Sequence, residues 1–93
     1  IFCSALTRAL KLQNRAARVG FDWPGPADVL KKIVEESHEL VEARDSSDHA
    51  HLTEEFGDLL FVMANLARHL DIDPEEALRL LHRDNRRWRE IRA

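Results

Sequence analysis

All three prolines and two of the three glycines of this 93-residue chain fall at its joints, so the segments between them are free to be helical. Gly20 and the Trp23-Pro24-Gly25-Pro26 run end one segment, and Asp71-Ile72-Asp73-Pro74 ends another. Between those two joints, Asp45-Ser46-Ser47-Asp48 interrupts a long apolar-periodic stretch with small polar residues. The pattern predicts four helices, over roughly 4–19, 27–44, 51–70 and 74–91. No segment alternates long enough to make a sheet, and there is no internal repeat. The expected fold is a single all-α domain over residues 1–93, arranged like a four-helix bundle.

The predicted helices differ in how much surface they must hide. The first carries Leu6, Leu10 and Ala17 at helical spacing, and the second carries Val29, Leu30, Ile33, Val34, Leu40 and Val41. The third is the most apolar, with Leu52, Phe56, Leu59, Leu60, Val62, Met63 and Leu66 spread around much of its circumference. The fourth opens with Asp73 as N-cap, Pro74 at the first position and Glu76 three residues after the cap. A chain this short buries only about 60–65% of its unfolded surface, so assembly with another copy is a common remedy. The expected assembly is a homo-oligomer, at least a dimer.

Charge is unevenly distributed. Nine acidic residues and a single basic one, Arg44, lie between Glu35 and Asp58. Arg8, Lys11, Arg15 and Arg18 precede them without an acid, and six arginines crowd the stretch from Arg79 to Arg92. An acidic middle with basic ends suits an anionic ligand bound through cations, and equally suits plain solvated helix faces. It argues against a nucleic-acid partner, which would call for a positive field. The longest apolar stretch, Phe56 to Leu70, is broken by Asp58, Asn65, Arg68 and His69, so no membrane span is expected. The first six residues are apolar apart from Ser4, lack a basic stretch and are not read as a signal peptide. Cys3 is the lone cysteine, so no intrachain disulfide can form, and a reducing, cytoplasmic setting is expected.

Within the acidic middle, two clusters have helical spacing. Glu39 shares a face with Glu35 and Glu36, and Glu55 shares one with Asp58. Their neighbours are apolar: Ile33, Val34 and Leu40 on one helix, Phe56, Leu59 and Leu60 on the other. Carboxylates gathered at the edge of a core repel one another and lose hydration, and a hard divalent cation relieves both costs. An acidic solvent face paired with arginines is the plain alternative, and spacing alone leaves both open. Gly57, between the two acids of the second cluster, weakens its helix and leaves room for close approach by another helix or a ligand.

Other residues have two readings each. Phe21 and Trp23 would form a wall for a nucleobase or plug the end of the bundle. Gln13 and Asn14 would read a base edge or simply stand exposed. His38 completes Glu35-x-x-His38, the spacing used in di-iron bundles, but that motif needs a second copy and none is present. A redox-metal bundle and a non-catalytic helical assembly module are the rival classes.

At these residues the sequence resembles the MazG-type nucleoside triphosphate pyrophosphohydrolases. That family's signature, E-E-x-x-E on one helix and E-x-x-D on the next, is matched by Glu35, Glu36 and Glu39 and by Glu55 and Asp58. The likeness extends to Lys11-Leu12-Gln13, to Ala16 through Trp23 with its Gly20-Phe21-Asp22-Trp23, to Glu54 through Phe61, to Asn65 through Leu70 and to Asp73 through Leu78. It covers most of residues 5–80. The resemblance implies an all-α fold of NTP pyrophosphatase type, working as a dimer or tetramer, that hydrolyses nucleoside triphosphates to the monophosphate and pyrophosphate in nucleotide-pool house-cleaning. It implies Glu36, Glu39, Glu55 and Asp58 as ligands of Mg²⁺, with Mn²⁺ able to substitute, and Glu35 as a support of the site or of a water. It also implies phosphate contact by Lys32 and leaves Gln13 and Trp23 as candidate substrate contacts. The last helix departs from the family's N-x-K-F-x-R-R-F-like stretch. Aligned without gaps from Pro74, it offers His82, Asp84 and Asn85, whereas a three-residue shift brings Asn85, Arg87 and Trp88 to the Asn, cation and aromatic positions and makes Asn85 and Arg87 substrate-binding candidates.

Overall fold

The computed structural model describes residues 4–46 and 48–83. Four helices follow one another: α1 over Ala5–Arg18, α2 over Pro26–Arg44, α3 over His49–His69 and α4 over Pro74–Arg83. The all-α expectation holds, with no strand among the described residues. Expected and observed ends agree to within two residues, except that residues 84–91 of the fourth expected helix lie outside the described ones. Nor is any helix among the described residues long and apolar enough to cross a membrane.

Local chemistry accounts for the ends. The Ser4 hydroxyl accepts the Thr7 N–H at 3.1 Å and opens α1. Gly25 and Pro26 open α2, with proline where its missing N–H costs nothing. Asp48 opens α3 two residues earlier than the apolar pattern suggests, because its carboxylate accepts the N–H groups of Ala50 and His51 at 3.1 and 3.2 Å. Asp73 caps α4 as expected, accepting Glu75 N–H at 2.9 Å and Glu76 N–H at 3.4 Å. The reciprocal half of a capping box is not made, because the Glu76 carboxylate takes Arg79 at 2.7 Å instead.

The main packing is α2 along α3, with α1 laid on α3 and α4 resting on α1. This arrangement leaves the molecule open. The radius of gyration is 15.3 Å, against about 12 Å for a compact domain of this length. Among the described residues only Val29, Ala43, Val62 and Ala64 are buried apolar side chains. Phe56, Leu60 and Met63 on α3, with Leu70 at its C-cap, form an uncovered stripe, and Leu30, Val34 and Val41 form another along α2; Phe56 is 51% exposed and Val34 56%. The wide apolar circumference of the third helix thus remains partly wet in the single chain.

Backbone geometry gives glycine a different role at two positions. Gly20 ends α1 at φ +88°, where its N–H reaches the Ala17 carbonyl and the next N–H, from Phe21, reaches Ala16. Gly57 lies within α3, and a Cβ built there meets nothing within 4 Å. Among the described residues no other helix approaches it that closely. Gly20→Ala should therefore cost about 1–2 kcal/mol of stability through the left-handed backbone, while Gly57→Ala should gain up to about 1 kcal/mol through helix propensity. Urea unfolding of the two variants beside the wild type checks the opposite signs, and loss of stability in Gly57→Ala would mean that something does approach that position.

Candidate metal centre

Packing of α2 on α3 sets the two acidic motifs against each other. Glu36 and Glu39 lie one turn apart on α2, and Glu55 faces them from α3. Each of the three offers a carboxylate oxygen, and these oxygens all lie within 4.8 Å of one another. Burial is uneven: the Glu36 side chain is 8% exposed, Glu55 is largely covered at 17%, and Glu39 is exposed. Glu36 Oε2 and Glu55 Oε2 are both buried without a hydrogen-bond partner.

Few neighbours offset this charge. The Lys32 ammonium lies 3.1 Å from Glu36 Oε1 and 3.6 Å from Glu35 Oε2. His51 Nε2 lies 3.9 Å from Glu55 Oε1. The charge of Glu36 pushes the Glu39 carboxyl above the ordinary carboxylate range, with dehydration and Glu55 adding to the effect and Lys32 opposing it. In turn, the hydrogen bond to Glu36 holds the Lys32 ammonium above the usual lysine range, against the pull of dehydration.

These features fit a divalent cation. Two buried carboxylate oxygens without partners are costly unless something positive meets them. Three carboxylates with converging oxygens supply hard ligands, and the exposed side of Glu39 leaves an approach for waters and a phosphate.

The residues singled out in the sequence fall into groups. Glu36, Glu39 and Glu55 come together, with Lys32 and Glu35 beside them. Asp58, one turn beyond Glu55, is exposed and outside the group of three. Gln13 is not at the cluster and is not exposed: it is buried between α1 and α3, where its Nε2 donates to the Phe61 carbonyl at 2.9 Å. Its neighbour Asn14 is exposed. Trp23 lies in the α1–α2 connection, half-buried, where Gly20, Phe21 and Asp22 join it around a shallow depression. His38 is exposed and not part of the cluster. Asn85 and Arg87 lie outside the described residues.

One constellation escaped the sequence reading. Asp22 binds Arg68 through Oδ2, His69 Nε2 through Oδ1 at 3.1 Å and its neighbour's N–H, on Trp23, at 2.8 Å. Asp22 is 46 residues from Arg68 in sequence, so no spacing rule connects them. Arg68 follows Glu55 by enough residues to lie about 20 Å further along α3. The cluster therefore ties the α1–α2 connection to the far end of α3, away from the acids. Dehydration acts upward on Asp22, but the hydrogen bonds from Arg68, His69 and Trp23 together hold its carboxyl below the ordinary value of 3.8. A depressed native pKa contributes stability above the unfolded-state value and loses it as pH falls through the native one. Acid titration of stability should show wild-type loss below about pH 4 that is shallower in Asp22→Asn; identical acid limbs would rule out this clamp.

The model of the phosphoribosyl-ATP pyrophosphohydrolase family matches residues 4–85. Over 75 residues, 81% of this chain, the sequence is 53% identical to the nucleoside triphosphate pyrophosphohydrolase/pyrophosphatase MazG of Thermotoga maritima, of which it covers 28%. Over 90 residues, 94% of this chain, it is 49% identical to the nucleoside triphosphate pyrophosphohydrolase of Escherichia coli K12, of which it covers 34%. The chain thus spans about a third of the length of these curated relatives.

Proposed function

Because the chain belongs to the phosphoribosyl-ATP pyrophosphohydrolase and MazG family, we propose that it hydrolyses nucleoside triphosphates to nucleoside monophosphate and pyrophosphate, using Mg²⁺, in clearing the nucleotide pool. The observation that carries this reading is the triad of converging carboxylates, two of which hold buried oxygens without partners. Both names attached to its relatives describe release of pyrophosphate, and the curated relatives at 49–53% identity favour the nucleoside triphosphate as substrate.

Glu36, Glu39 and Glu55 would hold the ion, and Asp58, on the next turn of α3, is proposed as the fourth ligand. When bound, Mg²⁺ or Mn²⁺ offsets phosphate charge and lowers the pKa of a coordinated water. The reaction breaks the bond between the α-phosphorus and the bridging oxygen, and water supplies the new oxygen on the monophosphate. Glu35, exposed beside Glu36, would accept the water's proton. Lys32 would stabilise negative charge on the phosphates. Trp23, and Asn85 and Arg87 from the arginine-rich C-terminal stretch of the sequence, are proposed to meet the base and phosphates across a subunit contact, since Trp23 lies toward the other end of α3 from the acids of its own chain.

The test is a set of nucleoside triphosphates with Mg²⁺, reading monophosphate and pyrophosphate together. Equal amounts of the two are expected, with activity abolished by chelator and restored by Mg²⁺ or Mn²⁺. Release of inorganic phosphate, or full turnover in chelator, would refute the reading. Glu39→Gln removes one charge with little change in shape, and turnover should fall at least about tenfold, equivalent to roughly 1.4 kcal/mol of transition-state stabilisation. A carboxyl with a raised native pKa destabilises the fold as pH rises past its unfolded value. The metal-free Glu39→Gln chain should accordingly unfold at the same or higher denaturant near neutral pH.

The proposed working unit is a homo-oligomer, at least a dimer. The uncovered stripes on α2 and α3 support it, since a monomer rarely leaves so much contiguous apolar surface wet. A two-fold contact is the simplest that would cover them. Light scattering at low micromolar concentration should give at least twice the chain mass, and Phe56→Glu should shift it toward the monomer. A monomer with full activity would exclude the shared site.

A further inference from the structure

Lys32 lies against the carboxylate on which a cation is proposed to bind. Its ammonium lies 3.1 Å from Glu36 Oε1, and Glu36 is the most buried member of the metal triad. The other oxygen of that carboxylate, Oε2, is buried without a partner, so Lys32 compensates only half of Glu36. Glu35 reaches the same ammonium at 3.6 Å. Lys32 itself is 34% exposed, so its long chain has solvent into which to move.

We propose that Lys32 is the resident counter-cation of the metal-free site, and that a divalent ion entering the Glu36–Glu39–Glu55 triad competes with it and turns its ammonium outward to the anion that follows. The inference rests on the metal reading above and adds to it the competition between the two cations. A divalent ion on Glu36 and an ammonium on the same carboxylate repel each other strongly in a site partly shielded from water. Ion entry must therefore loosen the contact between Lys32 and Glu36. Once outward, the ammonium is still tethered within a side-chain length of the triad, where a metal-bound phosphate would be found. One residue then serves twice: it lowers the cost of folding an empty acidic site, and it makes the loaded site more attractive to phosphate. The two roles have opposite signs for the metal alone and for the anion, and a purely structural lysine would not show both.

The experiment titrates Mn²⁺ alone, without nucleotide, into the wild-type chain and into Lys32→Met, Lys32→Gln and Glu39→Gln, reading free Mn²⁺ by electron paramagnetic resonance. Removing the competing ammonium should tighten Mn²⁺ binding about tenfold in both Lys32 variants, the order of effect for a unit charge at this range. Glu39→Gln should weaken it. A second titration, of inorganic pyrophosphate into the Mg²⁺-loaded chains, should show weaker binding in the Lys32 variants. Two lysine replacements guard against one that folds poorly, and far-ultraviolet circular dichroism checks each. If Glu39→Gln weakens Mn²⁺ binding while both Lys32 variants bind it no tighter than wild type, the competition is refuted and the metal site stands. Unchanged pyrophosphate affinity in the Lys32 variants would likewise overturn the outward role. If no chain takes up Mn²⁺, the metal reading fails and this proposal fails with it.

Discussion

Glu36 and Glu55 meet across the α2–α3 contact, and each keeps a buried carboxylate oxygen without a hydrogen-bond partner. Dehydrating like charges at a helix contact works against folding. Hydrophobic packing along the same contact opposes that cost, but the chain has little of it: Val29, Ala43, Val62 and Ala64 are its buried apolar side chains among the described residues. Half-buried Ile33, Leu40, Leu52 and Leu59 add to that packing, and features at the ends of the helices supplement it. Ser4, Asp48 and Asp73 supply N-caps, and Asp22 with Arg68 and His69 fastens the α1–α2 connection to the end of α3. The Asp22 clamp lies away from the acids, and the acids themselves are left under-compensated.

That division explains which parts of the molecule were legible in the sequence. Helix number and ends follow from proline, glycine and capping residues, because those act locally and through the backbone. Part of the carboxylate triad was legible for a related reason: three and four residues are one helical turn, so Glu36 and Glu39 had to share a face. Gln13 was not legible. Its polar side chain on a first helix suggested solvent or a base edge, yet the α1–α3 packing buries it on the Phe61 carbonyl. The Asp22 clamp was equally hidden, since it depends on how the α1–α2 connection folds over the end of α3. Asp58 shows the limit of spacing even within a motif. It shares a helix face with Glu55, but side-chain direction leaves it exposed and outside the group of three.

The openness of the chain has a further consequence for the site. Two residues apart on a helix point about 200° apart. Val34 and Glu36 accordingly emerge on nearly opposite sides of α2, and Val34 belongs to the uncovered apolar stripe. A surface that covers this stripe need not obstruct the acids. It would instead press α2 and α3 together from behind, fixing the separation between Glu36 and Glu55 that a small, hard cation requires. Apolar cover on one side and carboxylates on the other are thus compatible demands on the same pair of helices.

Coupling of this kind also settles the sign of the relation between stability and loading. An ion that binds the folded triad, whose geometry the unfolded chain does not preserve, stabilises the fold by mass action. A second copy that binds only the folded hairpin does the same. Each holds α2 against α3, so each lessens the ordering that the other must achieve. A single chain with a sparse core and an under-compensated acidic centre gains most from having both. Lys32 moderates that dependence, because its partial compensation of Glu36 keeps the empty state from paying the full repulsion of the triad. The incomplete core and the incomplete counter-charge therefore bear on one helix contact, which a bound ion or a second copy would each reinforce.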